Sequence, residues 1–149
     1  MNELYFEDFA VGQVFRTERY TVTREESIGF AEQYDPQFFH LDDEAARGSV
    51  MGRLFTSGWL TACIGMKLKA ATALGQVAGG LLGMGVDGMK WLAPVFPDDV
   101  LYLDIHIVQM RRSESRPTHG IITYRMDTFN QRDEKVMEAT VKVWVPCRS

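Results

Sequence analysis

The stretch YDPQFFHLD, residues 34–42, places an acid, Asp35, five residues before His40, the first of only three histidines in the chain. A carboxylate and an imidazole brought together can act as a proton-transfer pair. Pro36, Gln37, Phe38 and Phe39 lie between them. The two phenylalanines would put the pair in a low dielectric, where pKa values can be tuned. The same residues also read as the polar punctuation of a helix end. On that reading Asp35 bonds to nearby N–H groups, as turn aspartates do, and His40 is half-buried and bonded to backbone.

The elements that carry these residues follow from periodicity and caps. Val11 to Phe15 predicts a turn into a short strand. Thr23-Arg24-Glu25-Glu26 matches a capping box, with the threonine accepting from first-turn N–H groups and the glutamate reaching back. Ile28, Phe30, Ala31 and Tyr34 then share a helical face. Pro36 ends that helix, because the residue before a proline is pushed out of the helical region. Asp35 therefore sits where the chain turns. A second short helix is predicted from Asp42, with Asp42, Asp43 and Glu44 favourable in its first turn. Trp59 to Leu74 is apolar on nearly every face, which predicts a helix buried all round and capped by Gly75.

The second half changes period. Leu101, Leu103, Ile105 and Ile107 alternate with polar residues, as do Ile122, Tyr124 and Met126, and Met137, Ala139, Val141, Val143 and Val145. Period two predicts strands with one covered face. Pro97-Asp98-Asp99, Ser115-Arg116-Pro117 and Asn130 to Asp133 are turn-like breaks. Leu81 to Leu92 is a further strand, loosened by Gly83, Gly85 and Gly88. The plan is α+β: one domain over residues 1–149, with a curved antiparallel sheet wrapped around a central apolar helix. A single sheet covers one side of that helix, so a second subunit is expected to complete the burial.

Composition narrows the function classes. The 149 residues carry a net charge of -4, and the 16 basic residues form no stripe with interleaved aromatics, which argues against a nucleic-acid partner. Cys63 and Cys147 have no metal or redox spacing and read as reduced, as in a cytoplasmic protein. The opening segment, with Glu3, Glu7 and Asp8, does not read as a signal peptide. Lys67 and Lys69 interrupt the longest apolar segment, so no membrane span is expected.

Four stretches together resemble the MaoC-like, R-specific enoyl-CoA hydratases of the hotdog fold. Asp35-Pro36-Gln37-Phe38-Phe39-His40 is similar to that family's Gly-Asp-x-Asn-Pro-x-His signature, with the same acid-to-histidine spacing. FEDFAVGQ is similar to the family's opening segment, TSGW to the turn into its central helix, and Trp91 to Asp99 to its strand–turn–strand. The resemblance covers nearly the whole chain. Tyr34 stands where the family has glycine, Gln37 where it has asparagine and Phe38 where it has proline, with a proline at Pro36 instead. A small polar residue that some members carry in the central helix falls near Met66.

The resemblance implies reversible addition of water across the 2,3 double bond of a trans-2-enoyl thioester. Asp35 and His40 would grip the water, and the Gly58 N–H, at the start of the apolar helix, would bind the thioester oxygen. No metal or other cofactor is implied, and His40, His106 and His119 are scattered. Gln37 would orient water or substrate. Ser57 reads first as the helix N-cap, Trp59 as core or substrate contact, and Arg53 as a partner for a nucleotide phosphate or for a surface carboxylate. Gly58 is open to a second reading, tight packing alone. The implied partner is an acyl-CoA or acyl carrier protein thioester, on a homodimer or larger homo-oligomer. Two other functions suit the residues: a thioester hydrolase on the same fold, and a module that binds a thioester or a protein without catalysis.

Overall fold

Strands form where the period-two alternation predicts them. The computed structural model describes residues 3–149. Its strands are β1 (Val14–Arg16), β2 (Tyr20–Thr21), β3 (Leu82–Trp91), β4 (Val100–Arg112), β5 (His119–Phe129) and β6 (Lys135–Pro146). All pairings between these strands are antiparallel, in the order β1-β4-β5-β6-β3, with β2 paired to β4. The inward residues Leu101, Leu103, Ile105, Ile107, Ile122 and Tyr124 are almost wholly buried. The predicted breaks hold the turns, and Asp98 and Asp133 adopt positive φ there.

The helices are α1 (Arg24–Tyr34), α2 (Phe38–Leu41), α3 (Asp43–Ala46) and α4 (Gly58–Ala70). Thr23 caps α1 by accepting from the Glu26 N–H at 3.1 Å. The second half of the expected capping box does not form. Glu26 instead accepts the Tyr20 hydroxyl at 2.6 and 2.8 Å, tying β2 to α1. Asp42 caps α3 as its type predicts, accepting from Ala45 N–H at 2.8 Å.

The central helix is shorter than expected. It stops at Ala70, and Gly75 falls in a separate 3₁₀ turn, Ala73–Gln76. Thr72 explains the stop: its hydroxyl donates to the Lys69 carbonyl at 2.6 Å and accepts from Leu74 N–H at 3.2 Å. A threonine that bonds locally competes with helical continuation. Gly75 is needed for another reason, since a Cβ there would collide with the Ala70 carbonyl.

Leu60, Ile64 and Leu68, at i, i+4 and i+8, bury one face of α4 against the sheet. Gly65 lets the helix come close, because its Cβ would stand 3.3 Å from Leu103. The opposite face departs from all-round burial: within one chain Trp59 and Met66 are each 55% exposed. Strand β3 is also open. Among the described residues it pairs only with β6, and Leu82 and Met84 face out. This curved sheet holding one central helix is the hotdog fold.

Candidate active site

Asp35 stands at the end of α1, where its N–H donates to the Ala31 carbonyl at 2.9 Å. The Gln37 N–H then donates to the Asp35 carbonyl at 2.7 Å, closing an i to i+2 turn around Pro36. Proline holds φ near -65°, close to the value an inverse γ-turn needs. Pro36 therefore both ends the helix and sets the angle at which the next turn leaves. That turn is α2, which carries His40.

Both carboxylate oxygens of Asp35 are held. The Gln37 amide donates to Oδ1 at 2.8 Å and the Ser57 hydroxyl to Oδ2 at 2.7 Å. Partial burial pushes the Asp35 pKa up, but these two bonds and the nearby His40 together hold it below the usual carboxylate range. His40 is 4% exposed and sits edge-on between the Phe39 and Phe55 rings, with centroids at 4.6 and 4.7 Å. Its Nδ1 lies 2.6 Å from the Phe55 carbonyl oxygen. A carbonyl only accepts, so Nδ1 carries a proton and Nε2 is the nitrogen turned toward the carboxylate. That Nε2 faces Asp35 Oδ2 at 3.4 Å. With Nε2 unprotonated, a water in the adjoining cavity, beside the two atoms, can donate one hydrogen to each.

The chain returns to this pair through Phe55, Thr56 and Ser57. Phe55 N–H donates to the Phe39 carbonyl at 3.1 Å and Thr56 N–H to Val95 at 2.7 Å. These bonds hold the segment extended until Ser57 turns it into α4. Ser57 also caps α4, accepting from Trp59 N–H at 3.3 Å. It thus does the expected N-cap job and holds the catalytic candidate as well. Gly58 lines the cavity beside the pair, and its own N–H meets no acceptor among the described residues. The Trp91 indole N–H donates to the Gly58 carbonyl at 2.8 Å. A Cβ on Gly58 would stand 2.6 Å from Trp91 Cε2, so packing demands the glycine here too.

The cavity has a volume of about 340 Å³ and gathers Asp35, Gln37, His40, Gly58, Trp59 and Trp91. Trp59 is surface, not core, and meets Trp91 edge-on at 5.1 Å. Gln37 lines the cavity but spends its amide on Asp35, so it positions the acid. Arg53 is not in the lining; its guanidinium lies 3.8 Å over the Phe96 ring and meets no carboxylate among the described residues. Thr61 is a lining residue that no motif marked, and Trp91, which opens the matched stretch to Asp99, lines the cavity without having been singled out. The Phe55 carbonyl is a backbone group without a sequence signal. His106 faces Asp127 at 3.6 Å and His119 bonds to Thr118, both away from the cavity. Among the described residues no cluster of His, Cys, Asp or Glu is placed to hold a metal ion, and no helix is long and apolar enough to cross a membrane.

Comparison with known proteins agrees with this architecture. The MaoC-like domain model matches residues 8–130. The chain superposes on the crystal structure of a MaoC-like dehydratase from Rhodospirillum rubrum with a TM-score of 0.91. Sequence identity there is 42%, over 98% of this chain and 99% of that one. The (R)-hydratase from A. caviae involved in PHA biosynthesis aligns with a TM-score of 0.74 at 23% identity, over 94% of this chain and 99% of that one. A Bacillus subtilis (strain 168) protein, YdeM, is 30% identical over 140 residues, covering 93% of this chain and 96% of YdeM. Fold and site together define a hotdog protein with an acid–imidazole pair at the mouth of its central helix. The chain belongs to the MaoC-like domain family.

Proposed function

We propose that the protein adds water to, or removes it from, the 2,3 position of an enoyl thioester, giving or consuming an R-3-hydroxyacyl thioester. One observation carries this reading: His40 Nε2 and Asp35 Oδ2 face each other at 3.4 Å with the imidazole tautomer fixed by Phe55. A water in the cavity beside them donates one hydrogen to each. Its oxygen bonds to C3, and the double-bond electrons move toward C1 and the thioester oxygen. His40 takes the proton that water loses, beside an Asp35 that stays ionised and stabilises the imidazolium. The same proton passes from His40 to C2, so one water is added and the pair is restored.

The thioester oxygen gains charge in this step. The Gly58 N–H, at the positive end of α4, is the free donor beside it. One preorganised donor of this kind contributes about 2.7–4 kcal/mol to the transition state. The acyl carrier is coenzyme A or acyl carrier protein.

The working unit is a homodimer. The unpaired edge of β3 and the exposed Trp59 and Met66 form an apolar surface that a second copy would cover, and open hydrophobic edges otherwise invite aggregation. Strand β3 also carries Trp91 onto Gly58, so covering that strand would support the site.

The test is direct. Purified protein is mixed with crotonyl-CoA and longer trans-2-enoyl-CoAs, enoyl absorbance is followed, and free thiol is assayed in parallel. Absorbance loss without thiol is the expected result. Thiol release would replace this reading with thioester hydrolysis, and silence on every chain length would leave a binding role.

A further inference from the structure

A second cavity, of about 430 Å³, lies between α4 and the sheet. Its walls are mostly apolar and rich in methionine, with Met66, Met89, Met126 and Met137 among them. Trp59 and Thr61 line both this cavity and the one at the Asp35–His40 pair, so these residues stand between the two spaces. Thr61 is 1% exposed, and its hydroxyl has no hydrogen-bond partner among the described residues. A buried polar group is rarely left so. An unused donor therefore stands between the two cavities.

The second cavity also holds a cation. Lys69 lines it and donates to the buried Tyr124 hydroxyl at 3.2 Å. That leaves the phenolic hydrogen of Tyr124 free to donate in turn. Lys69 forms no ion pair among the described residues. Lys135 is a useful contrast, because it meets Asp127 at 3.1 Å. Burial holds the Lys69 pKa below its usual value and pushes Tyr124 up to about 12. A partly buried cation without an anionic partner is costly. An alkyl chain or an apolar partner surface filling this space would leave it unpaired; an anion would complete it.

We infer that the second cavity receives the far end of the acyl chain and that this end is a carboxylate, bound by Lys69 and Tyr124. The substrate class is then an ω-carboxyacyl thioester. This rests on the reading of the first cavity as the site that takes the thioester. Lys69 is eleven residues beyond Gly58, roughly 16 Å along the helix at 1.5 Å per residue. Side chains on a helix lean toward its N-terminus, which brings the ammonium back toward the thioester. A medium-length chain spans the remainder, passing Thr61 on the way.

The test compares adipoyl-, suberoyl- and sebacoyl-CoA with hexanoyl-, octanoyl- and decanoyl-CoA by calorimetric titration, and the corresponding trans-2-enoyl forms by turnover. At the fitting length the wild type should bind the carboxylated ligand about ten- to a hundredfold more tightly, the range of a hydrogen bond to a charged group. Lys69→Met should abolish that preference and Tyr124→Phe should weaken it. Equal binding of each pair by the wild type overturns the inference without reference to any variant. Turnover of enoyl-CoAs with no carboxylate preference keeps the hydratase reading and sinks the tail site. Lys69-dependent preference in binding, with no turnover, does the reverse. Binding of neither series sinks both.

Discussion

The Ser57 hydroxyl donates to Asp35 Oδ2 at 2.7 Å, across 22 residues of sequence. A residue whose type suggests a helix cap thereby fixes the oxygen that faces His40. Burial opposes ionisation of Asp35, and the Ser57 and Gln37 bonds together with His40 outweigh it, so the folded pKa is depressed. The sign follows. This stabilisation is complete above the unfolded carboxylate value and is lost as pH falls through the folded one. Ser57→Ala should therefore move the Asp35 titration upward, toward the usual range, in carbon-13 NMR of the side-chain carboxyl. The lost cap should also cost about 1 kcal/mol, or roughly 2–4 °C in melting temperature. An unmoved titration would show that Ser57 only caps the helix.

Asp35→Asn should reduce turnover of an enoyl-CoA by about 10²- to 10⁴-fold. Its shape is kept, so the melting temperature should stay within a few degrees. His40 calls for more care than an alanine. It is packed between Phe39 and Phe55, and truncation would open a cavity. His40→Asn keeps an N–H where Nδ1 meets the Phe55 carbonyl but removes the Nε2 lone pair. It should lose activity on the same scale while still binding acyl-CoA. Wild-type turnover by either variant would refute the assigned roles.

Much of this was readable from residue types. The alternating runs at Leu101, Ile122 and Met137 became the predicted strands because one sheet face meets one core. Pro36 marked the end of α1. What escaped has a common physical cause: it depends on groups brought together only by folding. The acceptor for His40 is the carbonyl of Phe55, a backbone atom no motif records. Helix α2 has four residues and no side-chain cap, so nothing local announces it. Gly75 reads as a cap by type alone, yet Thr72 stops the helix first by bonding to Lys69. Arg53 was assigned by charge, and charge does not reveal that its guanidinium lies on Phe96.

Gly58 and Trp91 form a single unit. Gly58→Ala would drive a methyl into the indole, so Trp91 must move and its bond to the Gly58 carbonyl must break. Overpacking of this kind costs about 1–3 kcal/mol. Turnover should fall as well, because the donor proposed for the thioester oxygen shifts with the backbone. Trp91→Phe should relieve part of the Gly58→Ala penalty. A double-mutant cycle in denaturant should then show coupling between the two sites, of about 0.5 kcal/mol or more. Strict additivity would mean that the glycine is not held by Trp91.

The open edge of β3 yields the last prediction. Leu82 and Met84 face outward there, and among the described residues β3 hydrogen-bonds to β6 alone. Light scattering behind size exclusion should give a dimer for the wild type. Leu82→Lys combined with Met84→Lys would place two like charges on the covered surface of each copy, facing the same pair across a two-fold axis. Neither residue lines either cavity. The double variant should shift toward monomer at micromolar concentration, and high salt should partly restore the dimer by screening the added charges. Turnover should fall with the dimer fraction, since Trp91 sits at the end of the same strand and loses its support. A wild type that is monomeric at every concentration would remove the dimer, and a variant that stays dimeric would move the interface elsewhere.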